Sequence, residues 1–254
     1  MAGAIIGGMI SHGVCKKEDI IGSDPLEAGR RRVQEQHGIK VTGDNKEVVE
    51  EADIVFLAVK PQYYAAVLDE IRNTVKEGQI FISIAPGKTM AWIGEYLGET
   101  VKLVRTMPNT PALVGEGMTA ACANAYVTEE EMKEVLHILS ATGKVEEVPE
   151  HLMDVVVGVS GSSPAYVFLF IEAMADAAVA EGMPRAQAYE FAAQAVLGSA
   201  KMVLETGKHP GELKDMVCSP AGTTIQAVRV LEEKGLRSAV FEATETCIQK
   251  AKGM

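Results

Sequence analysis

Three features of the 254-residue chain indicate an α/β protein, a doubly wound parallel sheet followed by an all-helical domain. Over residues 19–148, short β-branched runs alternate with stretches of helical spacing, the mark of βαβ units on a parallel sheet. The run DIVFLAV at 53–59 is almost wholly apolar, as a strand covered on both faces should be. After Pro149 the chain carries long Ala-rich segments at helical spacing and no convincing strand. The expected domains are residues 1–149, sheet-forming, and residues 150–254, helical.

The strands expected are IIGS (20–23), IKVT (39–42), DIVFLAV (53–59), QIFISIA (79–85), VKLVRT (101–106), MTAACA (118–123) and KVEEV (144–148). The stretches 25–38, 45–52, 62–78 and 128–143 read as helices, several closing on Gly as a helix end prefers. In the second domain, residues 162–182 place Ala165, Phe168, Leu169, Glu172, Ala173 and Asp176 on one stripe. Val167, Phe170, Ile171 and Met174 cover another face. A helix apolar on most sides is buried on most sides. Residues 185–206 set small side chains, among them Ala188, Ala192 and Ala195, on one stripe that permits close helix contact. Shorter helices are expected at 210–217 and 222–234, then one from Arg237 towards the end. A domain of this size cannot readily hide so many apolar faces by itself. We expect it to bury them against a second subunit; the alternative is a monomeric bundle packed on the sheet.

Composition excludes several classes. Hydrophobic residues make up 47% and charged residues 23%, which argues against disorder. The net charge of −11 repels phosphate backbones and anionic lipid, so neither nucleic acid nor membrane is an expected partner. The strongest apolar run, AYVFLFI at 165–171, stops at Glu172, short of the ~20 residues of a membrane span. Cys15, Cys122, Cys218 and Cys247 are dispersed, with no C-x-x-C pair and no His spacing for zinc, so they read as reduced thiols without metal. The first residues lack a basic leader and a cleavage site. A soluble, cytoplasmic protein is expected.

A doubly wound sheet binds ligands at the carboxyl ends of its strands. Three exits there are rich in Pro and Gly: AVKP (Ala58, Val59, Lys60, Pro61), SIAPGKT (83–89) and RTMPNTP (105–111). Such residues fix a sharp turn and let backbone approach a flat ligand. Singly each is an ordinary strand-to-helix turn; three together point to a shared site. In the helical domain, Ser219, Pro220, Ala221, Gly222, Thr223 and Thr224 precede a helix. Its free N–H groups and dipole suit a carboxylate, whereas Ser219 or Thr223 could equally cap its own helix.

The segment PGELKDMVCSPAGTTIQAVRVLEEKG, together with the three exits, resembles the pyrroline-5-carboxylate reductase family along essentially the whole chain. The resemblance implies a Rossmann domain and a helical dimerisation domain, with homodimers that in some members assemble as a ring of five. It also implies reduction of the cyclic imine 1-pyrroline-5-carboxylate to L-proline, the last step of proline synthesis, with NADPH or NADH. Asn45, Ala58, Val59, Lys60, Pro61, Ile84, Ala85 and Pro86 would line the cofactor, with Asn109 of the third exit beside them. Ser219, Ala221, Gly222, Thr223 and Thr224 would receive the substrate carboxylate and ring, with Pro86 also facing substrate and the Thr224 hydroxyl near the imine nitrogen. An imine nitrogen is basic enough to be reduced without a strong acid. That suits a chain in which His37 and His137 read as surface helix residues and His209 as a loop residue.

Against the family pattern, the chain begins at the Met of the G-x-G-x-M-A turn, with Ala2 in its third small position. The sheet domain is accordingly expected to be N-terminally incomplete, and a longer form with that strand and turn to bind cofactor better. Met216 and Pro86 are smaller departures. Asp24, at the end of the strand 20–23, favours the ribose hydroxyls of NAD; Ser23 beside it and Arg30, Arg31 and Arg32, otherwise a solvated face, leave NADP open. Two other functions compete. A β-hydroxyacid dehydrogenase would need a helix lysine, but GSAK at 198–201 lacks the G-x-x-x-K spacing, making Lys201 a surface residue. The other is a non-catalytic dimeric remnant.

Overall fold

The computed structural model describes residues 1–253. Strands form where the β-branched runs lie: β1 (Ile21–Ser23), β2 (Lys40–Thr42), β3 (Ile54–Leu57), β4 (Ile80–Ser83), β5 (Lys102–Met107), β6 (Gly117–Ala123) and β7 (Gly143–Glu147). β1 and β2 pair in parallel as a separate two-stranded sheet, and the other five run in the order β3-β4-β5-β6-β7. The sheet is parallel as expected except at one pairing, where β6 runs antiparallel to β5, with Val104 opposite Ala123 and Met107 opposite Ala120. A parallel return needs a crossover of about a dozen residues or more, usually a helix. Only the 3₁₀ turn Thr110–Val114 joins these two strands, so the chain doubles back.

The helices of this part are α1 (Ala2–Ser11), α2 (Glu27–His37), α3 (Asn45–Glu51), α4 (Tyr64–Ile71), α5 (Met90–Leu97), α6 (Glu129–Ser140) and α7 (Met153–Val156). One sheet face carries Val55, Leu57, Phe81 and Leu103 under Tyr64, Leu68 and Ile71 of α4 and Ile93 and Leu97 of α5. The other carries Ile80, Ile82, Val104 and Ala121 under Met132, Val135 and Leu139 of α6. Both faces are thus covered, as the apolar run in β3 requires. α6 starts on a full capping box, with the Thr128 side chain accepting from Glu131 N and the Glu131 carboxylate accepting from Thr128 N. α1 lays Ile5 and Met9 against Ile20, Ile54 and Phe56. His37 is not the surface residue the sequence suggested: its ring lies against Gly3 and Gly7 of α1, and its Nε2 is buried without a hydrogen-bond partner.

The chain forms two compact units, Met1–Ser162 together with the end of the chain from Cys247, and Ser163–Thr246. Within the first, Cys247 Sγ donates to Ser162 Oγ at 3.2 Å. The second contains α8 (Ser163–Ala180), α9 (Arg185–Thr206), α10 (Pro210–Val217), α11 (Thr223–Glu233) and most of α12 (Leu236–Lys252). Among its described residues only Ala175, Ala188 and Ala192 are buried, so the small-residue stripe does bring α8 and α9 together. The large side chains stay open: Phe168 is 61% exposed, Leu169 67%, Phe191 62% and Phe241 69%. The helical run Glu150–Ala180 is, by length and composition alone, long and apolar enough to cross a membrane. A π-helical turn interrupts it at Val157–Gly161.

Gly143 opens β7 at φ +138°, and a Cβ there would collide with the backbone oxygen and nitrogen of Gly117. Gly143→Ala combines a left-handed backbone with a clash that no side-chain rotation relieves. It is expected to lose roughly 2–4 kcal/mol of stability, read as a lowered thermal midpoint against the parent chain.

Candidate active site

Tyr64 is the first residue of α4 and is fully buried at 0% exposure. Its hydroxyl donates to the Leu57 carbonyl at 2.5 Å, where β3 ends, and lies 3.2 Å from Ser83 Oγ, where β4 ends. Thr106 on β5 donates its hydroxyl to the Ser83 carbonyl at 2.9 Å. Three buried polar side chains therefore lace the carboxyl ends of three adjacent strands, and a buried network of this kind holds geometry only when its members are satisfied. Burial pushes the Tyr64 hydroxyl above its usual pKa, against the opposing effect of Ser83 and the backbone of Ile84 and Ala85, so it remains a proton donor at neutral pH.

The lacing holds the exits of β3 and β4 side by side, since Leu57 is opposite Ser83. It thereby brings together Ala58, Val59, Lys60 and Pro61 with Ile84, Ala85 and Pro86. Ala85 is buried, Pro61 opens a 3₁₀ turn, and Gly87 turns the second exit at φ +72°. Small and prolyl residues on neighbouring exits leave backbone accessible to a flat ring, which fits a nicotinamide. At the smaller sheet, Ser23 donates to Asn45 Oδ1 at 2.6 Å, and Asn45 Nδ2 donates to Glu70 at 2.8 Å. Ser23 and Asn45 thus join the end of β1 and the start of α3 to α4. Asp24 Oδ1 accepts from Leu26 N at 2.8 Å, a local turn at the start of α2. Ala2 opens α1.

Asn109 occupies a different setting from the other exit residues. It is 8% exposed, donates Nδ2 to the Ser160 carbonyl at 3.0 Å and accepts from Met118 N at 2.9 Å. Its amide therefore anchors the π-helical turn to the mouth of β6. Nearby Arg105, 4% exposed on β5, reaches Glu150 at 3.3 Å and Asp154 at 3.4 Å. Glu150 also accepts from Met90 N at 2.8 Å. Opposite Arg105 on β6, Cys122 has its thiol pushed up to about 11, chiefly by burial and then by Glu150, with Arg105 opposing. It is a protonated core thiol and no nucleophile.

In the second unit, Ser219 to Gly222 form a tight turn into α11, closed by Gly222 N donating to the Ser219 carbonyl at 3.0 Å. Gly222 is the N-cap and no side chain caps the helix, which removes the reading of Ser219 or Thr223 as a cap. Ala221 has φ +58°, alone among the described non-glycine residues in the left-handed region. Such strain persists only where the surroundings enforce it, and it clusters at ligand sites. The opening N–H groups of α11 accordingly have no side-chain cap, an arrangement that suits an anion. Lys201 is exposed and paired with Glu205 at 3.5 Å, a surface residue. His209 caps α10 by accepting from Gly211 N at 3.0 Å.

Sequence reasoning missed Tyr64, and although Ser83, Arg105 and Thr106 open the exits it singled out, it did not read them as braces. For Tyr64 a signal existed: it is in phase with Leu68 and Ile71, both buried, while its neighbour Tyr63 is 57% exposed.

Residues 150–254 match the family described as pyrroline-5-carboxylate reductase dimerisation, and residues 1–87 that described as NADP oxidoreductase, coenzyme F420-dependent. The pyrroline-5-carboxylate reductase of Escherichia coli strain K12 is 54% identical over 251 residues, covering 99% of this chain and 93% of that protein. The chain belongs to the pyrroline-5-carboxylate reductase family. The reductase of Methanosarcina acetivorans is 46% identical over 252 residues, covering 99% of this chain and 93% of that one. Among solved structures, a reductase of this family from Coxiella burnetii superposes with a TM-score of 0.91 at 35% identity, covering 99% of this chain and 94% of that one. A Plasmodium falciparum pyrroline carboxylate reductase with NADP bound gives 0.90 at 32% identity, covering 98% and 92%. The fold is therefore the family's, a parallel-dominated Rossmann-like sheet with a helical dimerisation domain.

Tyr64→Phe removes the hydroxyl and leaves the Leu57 carbonyl and Ser83 hydroxyl short of a partner. The expected loss is about 1–2 kcal/mol in urea unfolding with the slope unchanged.

Proposed function

We propose that this chain reduces 1-pyrroline-5-carboxylate to L-proline with NADPH or NADH, the last step of proline biosynthesis. The observation that carries the proposal is the 54% identity to the Escherichia coli reductase across nearly the full length of both chains. The uncapped start of α11 behind the strained Ala221 supports it from chemistry. In this reading the Thr223 and Thr224 amides receive the substrate carboxylate, helped by the dipole of α11. Ser219, Ala221 and Gly222 shape the turn around the ring. The Thr224 hydroxyl hydrogen-bonds the imine nitrogen and orients it for protonation. When bound, the nicotinamide cofactor supplies the hydride.

Ser23, Asn45, Ala58, Val59, Lys60, Pro61, Ile84, Ala85 and Pro86 line the cofactor, with Ala2 and Asp24 at the edge of its site. Pro86 also faces substrate, and Asn109 acts at one remove by holding the π-helical turn. No histidine is required. Catalysis then rests on holding two flat rings face to face, an orientation effect that can supply several kcal/mol. The exposed apolar side chains of α8, α9 and α12 support a homodimer, and further assembly into a ring of five dimers belongs to the same reading. Burial against a partner subunit also accounts for the apolar run Glu150–Ala180 in a soluble cytoplasmic enzyme.

The test follows cofactor absorbance with pyrroline-5-carboxylate as substrate. Thr224→Ala is expected to lower kcat by about 10²-fold, with Thr224→Ser restoring most of it. Full activity in Thr224→Ala removes that residue from the mechanism, and a parent chain that turns over neither cofactor refutes the function.

A further inference from the structure

α5 is pinned from outside the helix. Of the N–H groups that its first turn leaves without an intrahelical acceptor, Trp92 N is taken by the Thr89 side chain at 3.1 Å and Met90 N by the Glu150 carboxylate at 2.8 Å. Glu150 stands 60 residues further along, in the 3₁₀ turn Glu150–Leu152 that follows β7. A carboxylate is the acceptor that the positive end of a helix dipole favours. The same oxygen, Oε1, also accepts from Arg105 Nη1 at 3.3 Å. Arg105 is buried on β5 opposite Ser83 of β4, and its Nη2 reaches Asp154 at 3.4 Å. The Glu150 carboxylate is therefore fixed from two sides, by a backbone N–H of α5 and by a buried cation of the sheet.

Met90 is the far end of an exit. The segment leaving β4 runs through Ile84, Ala85, Pro86, Gly87, Lys88 and Thr89 into Met90. Its near end is held at Ser83, whose carbonyl accepts from Thr106 and whose hydroxyl lies against that of Tyr64. Its far end is held by Glu150, and the Met90 side chain packs beside Cys122 and Met153 under the same corner of the sheet. Between the two ties, Pro86 and Gly87, the latter at φ +72°, offer little side chain to pack. The course of so short a segment is set by where its ends are tied, and Glu150 supplies one of the two ties.

We propose that Glu150 is a positioning residue for cofactor binding: held by Arg105, it caps α5 from across the sheet unit and so sets the backbone of Ile84, Ala85 and Pro86 where a nicotinamide ring lies against it. The inference rests on the reading of the chain as a nicotinamide-dependent reductase. It goes beyond that reading by giving a role to a residue outside the three exits and outside the turn before α11. Glu150 acts through Met90 N and takes no part in hydride or proton transfer.

The test compares Glu150→Ala, Glu150→Gln and Asp154→Ala in the full chain by three readouts: calorimetric titration with NADP⁺ and NAD⁺, steady-state turnover of pyrroline-5-carboxylate, and hydrogen exchange at the Met90 amide. Glu150→Ala is expected to speed exchange at Met90, to weaken the better-bound dinucleotide about tenfold with its KM rising to match, and to raise the KM for pyrroline-5-carboxylate by less. Glu150→Gln keeps an oxygen for Met90 N and is expected to restore most of the affinity. Asp154→Ala removes the other partner of Arg105 but leaves Met90 N capped, so its cofactor affinity is expected to stay close to the parent's even where its thermal midpoint falls. A general loss of folded protein lowers kcat and leaves both Michaelis constants where they were. The inference fails if Glu150→Ala exchanges faster at Met90 yet binds cofactor as the parent does, or if Asp154→Ala weakens binding as much as Glu150→Ala; in both cases the reductase reading stands. A parent chain that binds neither dinucleotide refutes that reading, and the inference falls with it.

Discussion

Apolar surface left open by the helical unit is the constraint on which the rest depends. The unit Ser163–Thr246 buries three alanines, while Phe168, Leu169, Phe191 and Phe241 are more than half exposed. At about 25 cal/mol per Å² of apolar area, three buried alanines contribute little against the entropy of ordering some eighty residues, and covering the open phenylalanines and leucines adds substantially to that side. The same unit holds the turn from Ser219 to Gly222 and the uncapped start of α11. Order at the proposed carboxylate site is therefore coupled to whatever covers these faces, and the match of residues 150–254 to a dimerisation family supports oligomer formation.

The sheet unit solves a different problem. Strand exits rich in Pro and Gly have little side-chain packing of their own, yet a cofactor site needs them fixed to within a fraction of an ångström. Tyr64, Ser83 and Thr106 supply that fixity from below, by hydrogen bonds that no water can replace at 0%, 1% and 1% exposure. Arg105, the residue before Thr106 on β5, does similar work, with Glu150 and Asp154 tying the chain after β7 back to the sheet. Asn109 closes the set by holding the carbonyl of Ser160 within the π-helical turn.

Much of this was legible in the sequence where a local pattern and its burial agree. All seven strands fall within a residue or two of the β-branched runs, and the helices Arg185–Thr206 and Pro210–Val217 keep their expected bounds. α5 was not read because MAWIGEYL lies between Gly-rich turns; the Thr89 side chain accepting from Trp92 N was its start signal. α1 was hidden by three glycines in ten residues, which weaken helical periodicity and are tolerated here by packing on Ile138 and Ala141. The antiparallel β6 follows from connection length, a feature that strand propensity does not report. At the site, the exits and the turn before α11 were visible as motifs. The residues that brace them were not, because a lone Tyr, Ser or Thr in an apolar run looks the same whether it is buried or exposed.

The most direct measurement is thermal unfolding followed by far-ultraviolet circular dichroism over a hundredfold range of protein concentration, with sedimentation velocity at each concentration. If the helical unit is ordered by a second copy, the folded species sediments as a dimer or larger and its unfolding midpoint rises with concentration, as linkage requires. A folded monomer whose midpoint is the same at every concentration contradicts it.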